Sequence, residues 1–262
     1  MRVLGDQLHT QRASGRPLSV GVTLFGLIVS GGMLTSCLSG AKAASYADQY
    51  WSNYNTANYQ TPGNGDDCID FVSQALVAGG AQWTNFPGDP ADNHSWWAIT
   101  SGDTTDQTTE AQQIYINSPY WAQPVYGWDT YSWVQVQTFI GHGLYTNNSQ
   151  GNPWMTEEGS YSYQNWPNPE APSTPPNMVQ GDVYAYNWSG EARSGASHAS
   201  IQVAGSPGSP VPDPNSGDSN YSGDLVDAHT DNRYHVYWSL RPVNPNNWQS
   251  TTIFFFHING GD

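Results

Sequence analysis

Positive charge is scarce in this chain. Its 262 residues carry 7 Lys and Arg against 22 Asp and Glu, a formal net charge of −15. Arg2, Arg12, Arg16 and Lys42 fall in the first 44 residues, and after them come only Arg193, Arg233 and Arg241. From Ser45 onward, 3 basic residues face 21 acidic ones. Nucleic-acid backbones are held by Lys and Arg, and anionic lipid is held by basic clusters. The body of the chain therefore lacks the means to grip either. Cysteine is also scarce, and Cys37 and Cys68 cannot form the framework that staples small secreted domains. There is no paired Cys, no His-x-x-x-His and no EF-hand spacing, so neither a metal nor another cofactor is expected. The acids around Asp213, Asp218 and Asp224 offer only a weak calcium reading. What the chain does have is 12 Trp and 16 Tyr, too many for disorder. Its 27 Gly and 18 Pro point to long loops within a folded domain.

The uneven charge marks the front end as a separate piece. Arg2, Arg12 and Arg16 form a basic region, and Leu18 to Leu34 is apolar and uncharged. Ala41-Lys42-Ala43 then supplies the small residues that a signal peptidase reads. Residues 1–44 are thus expected to be an export signal, with a mature chain from Ser45. Two other readings stay open. The apolar stretch could anchor the chain, although it is borderline in length for spanning a bilayer and rich in glycine. Leu34-Thr35-Ser36-Cys37 resembles a bacterial lipoprotein signal, with Cys37 as the lipid-bearing residue. In each case the body works outside the cytosol, as a secreted or cell-surface bacterial protein, with no integral membrane domain expected in the body itself. After cleavage at Ala43 or Ala44, Cys68 is the one cysteine left.

The remaining 45–262 reads as a single domain. Ser45 to Asn55 is expected to be helical, with Tyr46, Tyr50 and Tyr54 on one face. Asp67 to Ala78 reads as a second helix, capped by Asp66 or Asp67 and stopped by Gly79-Gly80. Residues 81–180 form an aromatic-rich, irregular insertion whose clearest element is a helix from Trp133 to His142. Strands are expected at Asp182 to Trp188, His198 to Val203, Asp224 to Ala228, Tyr234 to Leu240 and Thr252 to Ile258. Helices followed by a run of antiparallel strands make the fold class α+β.

Cys68 falls in the first turn of its helix, where unpaired N–H groups and the helix dipole favour a thiolate. That position makes it a nucleophile candidate, against the alternative of a small, inert buried thiol. Asp66, Asp67 and Asp70 work against an activated thiolate, so a base must help.

Asp67-Cys68-Ile69-Asp70-Phe71-Val72-Ser73-Gln74, with Ala78-Gly79-Gly80 after it, resembles the signature of the putative amidase-domain family within the NlpC/P60-like, papain-related cysteine hydrolases. Tyr46-Ala47 is similar to that family's opening helix, and Ser132-Trp133 to Phe139 to its tryptophan helix. Gly181-Asp182, the strand from His198, and Ala228-His229-Thr230 resemble its later blocks in the same order. Ile69 and Asp70 depart from the usual Thr-Asn, a change expected to bear on substrate choice. The resemblance implies a papain-like arrangement, with N-terminal helices carrying the Cys and an antiparallel sheet carrying His residues.

Period two along His198 to Val203 puts Ala199, Ile201 and Val203 on the core face and His198 on the other. A histidine at a strand start, off the core, suits a general base, and the resemblance favours His198 for that role. Leu225, Asp227 and His229 alternate on one face of the next strand, so Asp227 or His229 could orient the His198 ring. The resemblance favours His229, with Asp227 as the alternative. Asp67 and Trp133 are expected to contact substrate. His94, His142, His235 and His257 are read as structural or surface residues. The surplus tryptophans either line a groove for sugar rings or fill a core short of Leu and Ile.

The expected function is an exported cysteine amidase or peptidase that cleaves amide bonds, with the peptide of the bacterial cell wall as substrate. The alternative is a non-catalytic wall- or glycan-binding domain with an aromatic groove. A related transfer or deamidation on a protein glutamine is a third reading.

Overall fold

The computed structural model describes residues 38–59, 67–82, 135–146, 152–162, 175, 177–190, 192–206, 208–216, 220–244 and 248–260. Helices α1 (Gly40–Tyr50), α2 (Cys68–Ala78) and α3 (Val136–Tyr145) come first. Strands β1 (Met155–Ser162), β2 (Val183–Asn187), β3 (His198–Ala204), β4 (Val211–Pro212), β5 (Ser222–Gly223), β6 (Leu225–Ala228), β7 (Arg233–Tyr237) and β8 (Thr252–Ile258) follow. Six of them make one antiparallel sheet in the order β1-β8-β2-β3-β6-β7, and β4 and β5 form a small hairpin. The class is α+β, as the order of helix and strand patterns implies.

Alternation along the strands sorts the core into two layers. Val183, Ala185, Ala199, Ile201, Phe254 and Phe256 face the helices and pack with Ala43, Ala47, Phe71, Val72 and Leu76. Tyr184, Tyr186, Ile253 and Phe255 point the other way, onto Met178, Trp238 and Leu240. The sheet is therefore covered on both faces, and the expected polar face of β3 is not at the surface. Ser200 and Gln202 are as buried as Ala199 and Ile201. Their polar atoms are satisfied within the second layer: Ser200 bonds the Tyr186 hydroxyl and Gln202 accepts from Tyr184. Buried tyrosines with hydroxyl partners let an aromatic layer substitute for aliphatic residues the chain lacks.

α1 begins five residues before the expected mature boundary at Ser45. Ser39 is its N-cap, accepting from the Lys42 N–H. Leu38, Ala43 and Ala44 are buried, and the Ser39 N–H bonds the Gly79 carbonyl at the end of α2. Within the Ala41-Lys42-Ala43 triplet, Ala43 is buried while Ala41 and Lys42 are exposed. A Cβ on Gly40 would lie 1.8 Å from the Gln180 carbonyl oxygen, and Gly181 holds φ at +92° against Gly40. Asp182, next in line, accepts from the Val179 and Ile258 N–H groups and pairs with His257, tying the entry of β2 to β8.

β1 lies inside the segment read as irregular. Its Thr156-Glu157-Glu158-Gly159 run breaks alternation, and the register with β8 slips between Glu157 and Gly159, where Gly159 adopts φ +139°. The third helix is three residues later than expected, and Trp133 lies outside the described residues. β7 ends at Tyr237 because Trp238-Ser239 turn away, with Leu240 at φ +55°.

A chain starting at Ser45 loses the Ser39 cap and the buried Leu38 side chain. It should be less stable than one starting at Leu38 by roughly 3 kcal/mol, from about 1 for the cap and 1.5–3 for the side chain. Urea unfolding of the two chains measures the difference.

Candidate active site

A cavity of about 640 Å³ opens where β2 and β6 end and β3 and β7 begin. Cys68 and His198 both line it, together with Trp188, Ser197, Asp231 and Arg233. The sequence-predicted nucleophile and base are thus brought to one space.

Cys68 is the first residue of α2 and is buried apart from its exposure to this cavity. The preceding Asp67 makes no side-chain capping bond to the helix. Its carboxylate turns instead to His229, with Oδ2 2.7 Å from Nδ1, and Oδ1 accepts from the Thr230 hydroxyl. The His229 Nε2 reaches the Tyr50 carbonyl at 2.5 Å. Phe71 stacks on the imidazole at 4.2 Å between centroids, and Tyr54 meets it edge-on. Asp67 and His229 are almost fully buried.

This arrangement corrects two expectations. His229 does not sit beside His198: its Nδ1 is taken up by Asp67 and its Nε2 by the Tyr50 carbonyl, so neither nitrogen is left to orient another imidazole. Asp67 is no substrate contact; it is buried and bonded to His229. Sheet geometry explains the first correction. Ile201 stands opposite Asp227 on the helix side, and His229 follows Asp227 by two residues on that side. His198 stands opposite Tyr186, whose side chain belongs to the other face.

Asp227 is not the orienter either. It is fully buried, its Oδ1 accepts from the His235 N–H, and burial pushes its carboxyl up to about 8, with Asp48 adding to the effect. Asp70, at one of the two departures from the family pattern, also lies away from the cavity. It accepts from Gln74, which accepts from Tyr46, which in turn accepts from Asn55. Asp70 thereby joins the contact between α1 and α2.

The His198 ring is held by aromatic neighbours, Tyr186 at 5.5 Å and Trp188 at 5.7 Å between centroids. Burial pulls its pKa down to about 4; Asp231 and Asp67 oppose that and Arg233 adds to it. At neutral pH the imidazole is uncharged and able to accept a proton. The carboxylate lining the cavity on this side is Asp231, which sits 3.4 Å from Arg233. Neither was singled out from the sequence, although Asp231 directly follows Ala228-His229-Thr230.

Of the other histidines, His142 is buried, His235 pairs with Asp48 and His257 with Asp182; His94 lies outside the described residues. Trp154 packs against the core, and Trp188 is the tryptophan that lines the cavity among the described residues. An aromatic groove therefore rests on one ring here. Trp83, Trp96, Trp97, Trp121, Trp128 and Trp166 are outside the described residues.

Two predictions follow from these environments. Removing one member of a buried pair strands the other, at a cost of about 3–5 kcal/mol. His229→Ala and Asp67→Asn should each destabilise strongly, and the double variant should lose less than the sum by about 1 kcal/mol or more; urea unfolding of the four proteins gives the coupling. The second concerns pH. A base with its pKa lowered to about 4 stays deprotonated from there upward, so the acid limb of kcat/KM should lie near pH 4–5. A limb at 6.5, the free-histidine value, would contradict this environment for His198.

Neither the curated proteins nor the solved structures contain a significant match to the chain. A family profile does match, over residues 38–254, and its span takes in both Cys68 and His198. By that match the chain belongs to the family described as "Putative amidase domain".

Proposed function

We propose that the protein is an exported cysteine amidase, related to the NlpC/P60-like and papain-like hydrolases, that cleaves amide bonds in cell-wall peptide. The observation that carries this reading is the shared cavity: a cysteine at a helix start and a neutral histidine at a strand start face one space. In the reaction, the Cys68 thiol gives its proton to His198 and its sulfur attacks the amide carbonyl carbon. The tetrahedral oxyanion is held at the N-terminal end of α2. As the C–N bond breaks, His198 returns the proton to the leaving amine and a thioester remains. Water, deprotonated by His198, then releases the acid and restores the thiol.

In this mechanism His229 is a positioning residue. It fixes Asp67, and through it the first residue of α2, rather than the base. The negative charge closest in effect to His198 comes from Asp231, which leads the carboxylates that favour its imidazolium. The wall lining also suits a peptide. Gln135, Gln137, Ser197, Thr230 and Asn244 offer amide and hydroxyl groups, and Arg233 offers a cation for a carboxylate. Export rests on the basic and apolar front end. Among its processing positions, cleavage ahead of Cys37 keeps Leu38 and the Ser39 cap, whereas a cut after Ala43 or Ala44 removes them.

The test is alkylation by iodoacetamide. Modification of Cys68 should abolish amide hydrolysis, and Cys68→Ser should lower turnover by several orders of magnitude in a folded protein. His198→Ala should slow alkylation at neutral pH and move its pH profile upward, because the proton acceptor is gone. Coincident profiles for wild type and His198→Ala would remove His198 from the mechanism.

A further inference from the structure

On the helix side of β6, well apart in sequence from any recognisable metal motif, three ligand-bearing side chains converge. Asp48 comes from α1, Asp227 from β6 and His235 from β7. One donor atom from each lies within 4.8 Å of the others. The register of β6 and β7 is irregular between Val226 and Ala228, so the bulge falls at Asp227. Bulges re-aim side chains in this way.

The contacts at the cluster are few and specific. His235 Nε2 lies 2.7 Å from Asp48 Oδ1. The His235 N–H donates to Asp227 Oδ1 at 2.7 Å. The imidazole stacks on Tyr234 at 4.0 Å, and Asn215 donates to the Tyr234 and His235 carbonyls, which fixes the segment that presents the ring. Asp227 is fully buried, yet its Oδ2 meets no donor among the described residues. A buried carboxylate oxygen with no hydrogen-bond partner costs about 1–3 kcal/mol or more. Here it faces the Asp48 carboxyl closely enough for a hydrogen bond that needs a shared proton. Either a cation or a shared proton would relieve both features.

We propose that Asp48, Asp227 and His235 form a binding site for a first-row divalent transition cation such as Zn²⁺. An imidazole with two carboxylates fits such an ion better than Mg²⁺ or Ca²⁺, which take oxygen ligands alone. Bonds of about 2.0–2.1 Å to a tetrahedral ion set ligand atoms roughly 3.3 Å apart, so the present spread closes by small side-chain rotations. The fixed His235 ring and the N–H bond to Asp227 supply the outer support that metal ligands use. Because Asp48 and Asp227 lie on different elements, the ion would clamp α1 to the β6–β7 turn. His229 and its bond to the end of α1 lie on the same side of that strand. The site is structural in this role and takes no part in the proton transfers at Cys68.

Zn²⁺ and Co²⁺ are the probes, titrated calorimetrically into the chelator-treated protein carrying Cys68→Ser, so that no thiolate competes. The proposal expects one equivalent bound and a raised thermal midpoint. Asp48→Asn and His235→Gln, both at the solvent-accessible edge, should each weaken binding at least tenfold while the proteins stay folded. Asp227→Asn should abolish binding, and if it fails to fold, the two edge variants decide the matter. Absence of stoichiometric binding would overturn the proposal and leave a shared proton between the two carboxyls. Unchanged affinity in both edge variants would overturn it equally.

Discussion

The buried line from Asp67 through His229 to the Tyr50 carbonyl is the constraint on which the site depends. It joins the start of α2, the end of β6 and the end of α1 in one hydrogen-bonded run. Polar pairs buried this deeply gain little over an apolar packing, but they are costly to break on one side. What they supply is position. With Asp67 bonded to His229, its carboxylate is drawn away from the helix start and the sulfur of the next residue. The helix start is then left to stabilise developing negative charge. The same bond keeps α1 and α2 on the sheet at the point where Cys68 enters the cavity.

The second constraint is the double coverage of the sheet. Because aromatic residues fill the face away from the helices, the start of β3 is partly enclosed as well, and His198 lies half-buried against Tyr186 and Trp188 at the wall of the cavity. That enclosure holds the imidazole neutral. The acidic body of the chain reinforces this design only weakly, since Asp231 is largely exposed and already faces Arg233.

Much of this was legible in the residues. The limits of α2 and β8 follow from apolar spacing and the Gly-Gly stop, and the places of Cys68 at a helix start and His198 at a strand start were readable too. The role of His229 was not. Period two put Asp227 and His229 on one face of their strand, but it could not say that His198 faced the opposite one. That depends on strand register, set by Ile201 opposite Asp227 and His198 opposite Tyr186. The close approach of Gly40 to Gln180 and Gly181 was not legible either, because it joins segments far apart in the chain. β1 escaped notice because its glutamates face an edge and its bulge breaks the alternation. The metal cluster lies beyond any motif, since its ligands come from α1 and from two strands near the other end of the chain.

The central claim is that Cys68 hydrolyses amide bonds of cell-wall peptide from this cavity. Mass spectrometry of purified peptidoglycan, incubated with the wild-type protein and in parallel with Cys68→Ser, tests it most directly. The account predicts shortened stem peptides or separated cross-links, each gaining one water per bond cut, with wild type and not with the variant. Peptidoglycan left unchanged by the wild type, or cut equally by Cys68→Ser, would contradict it.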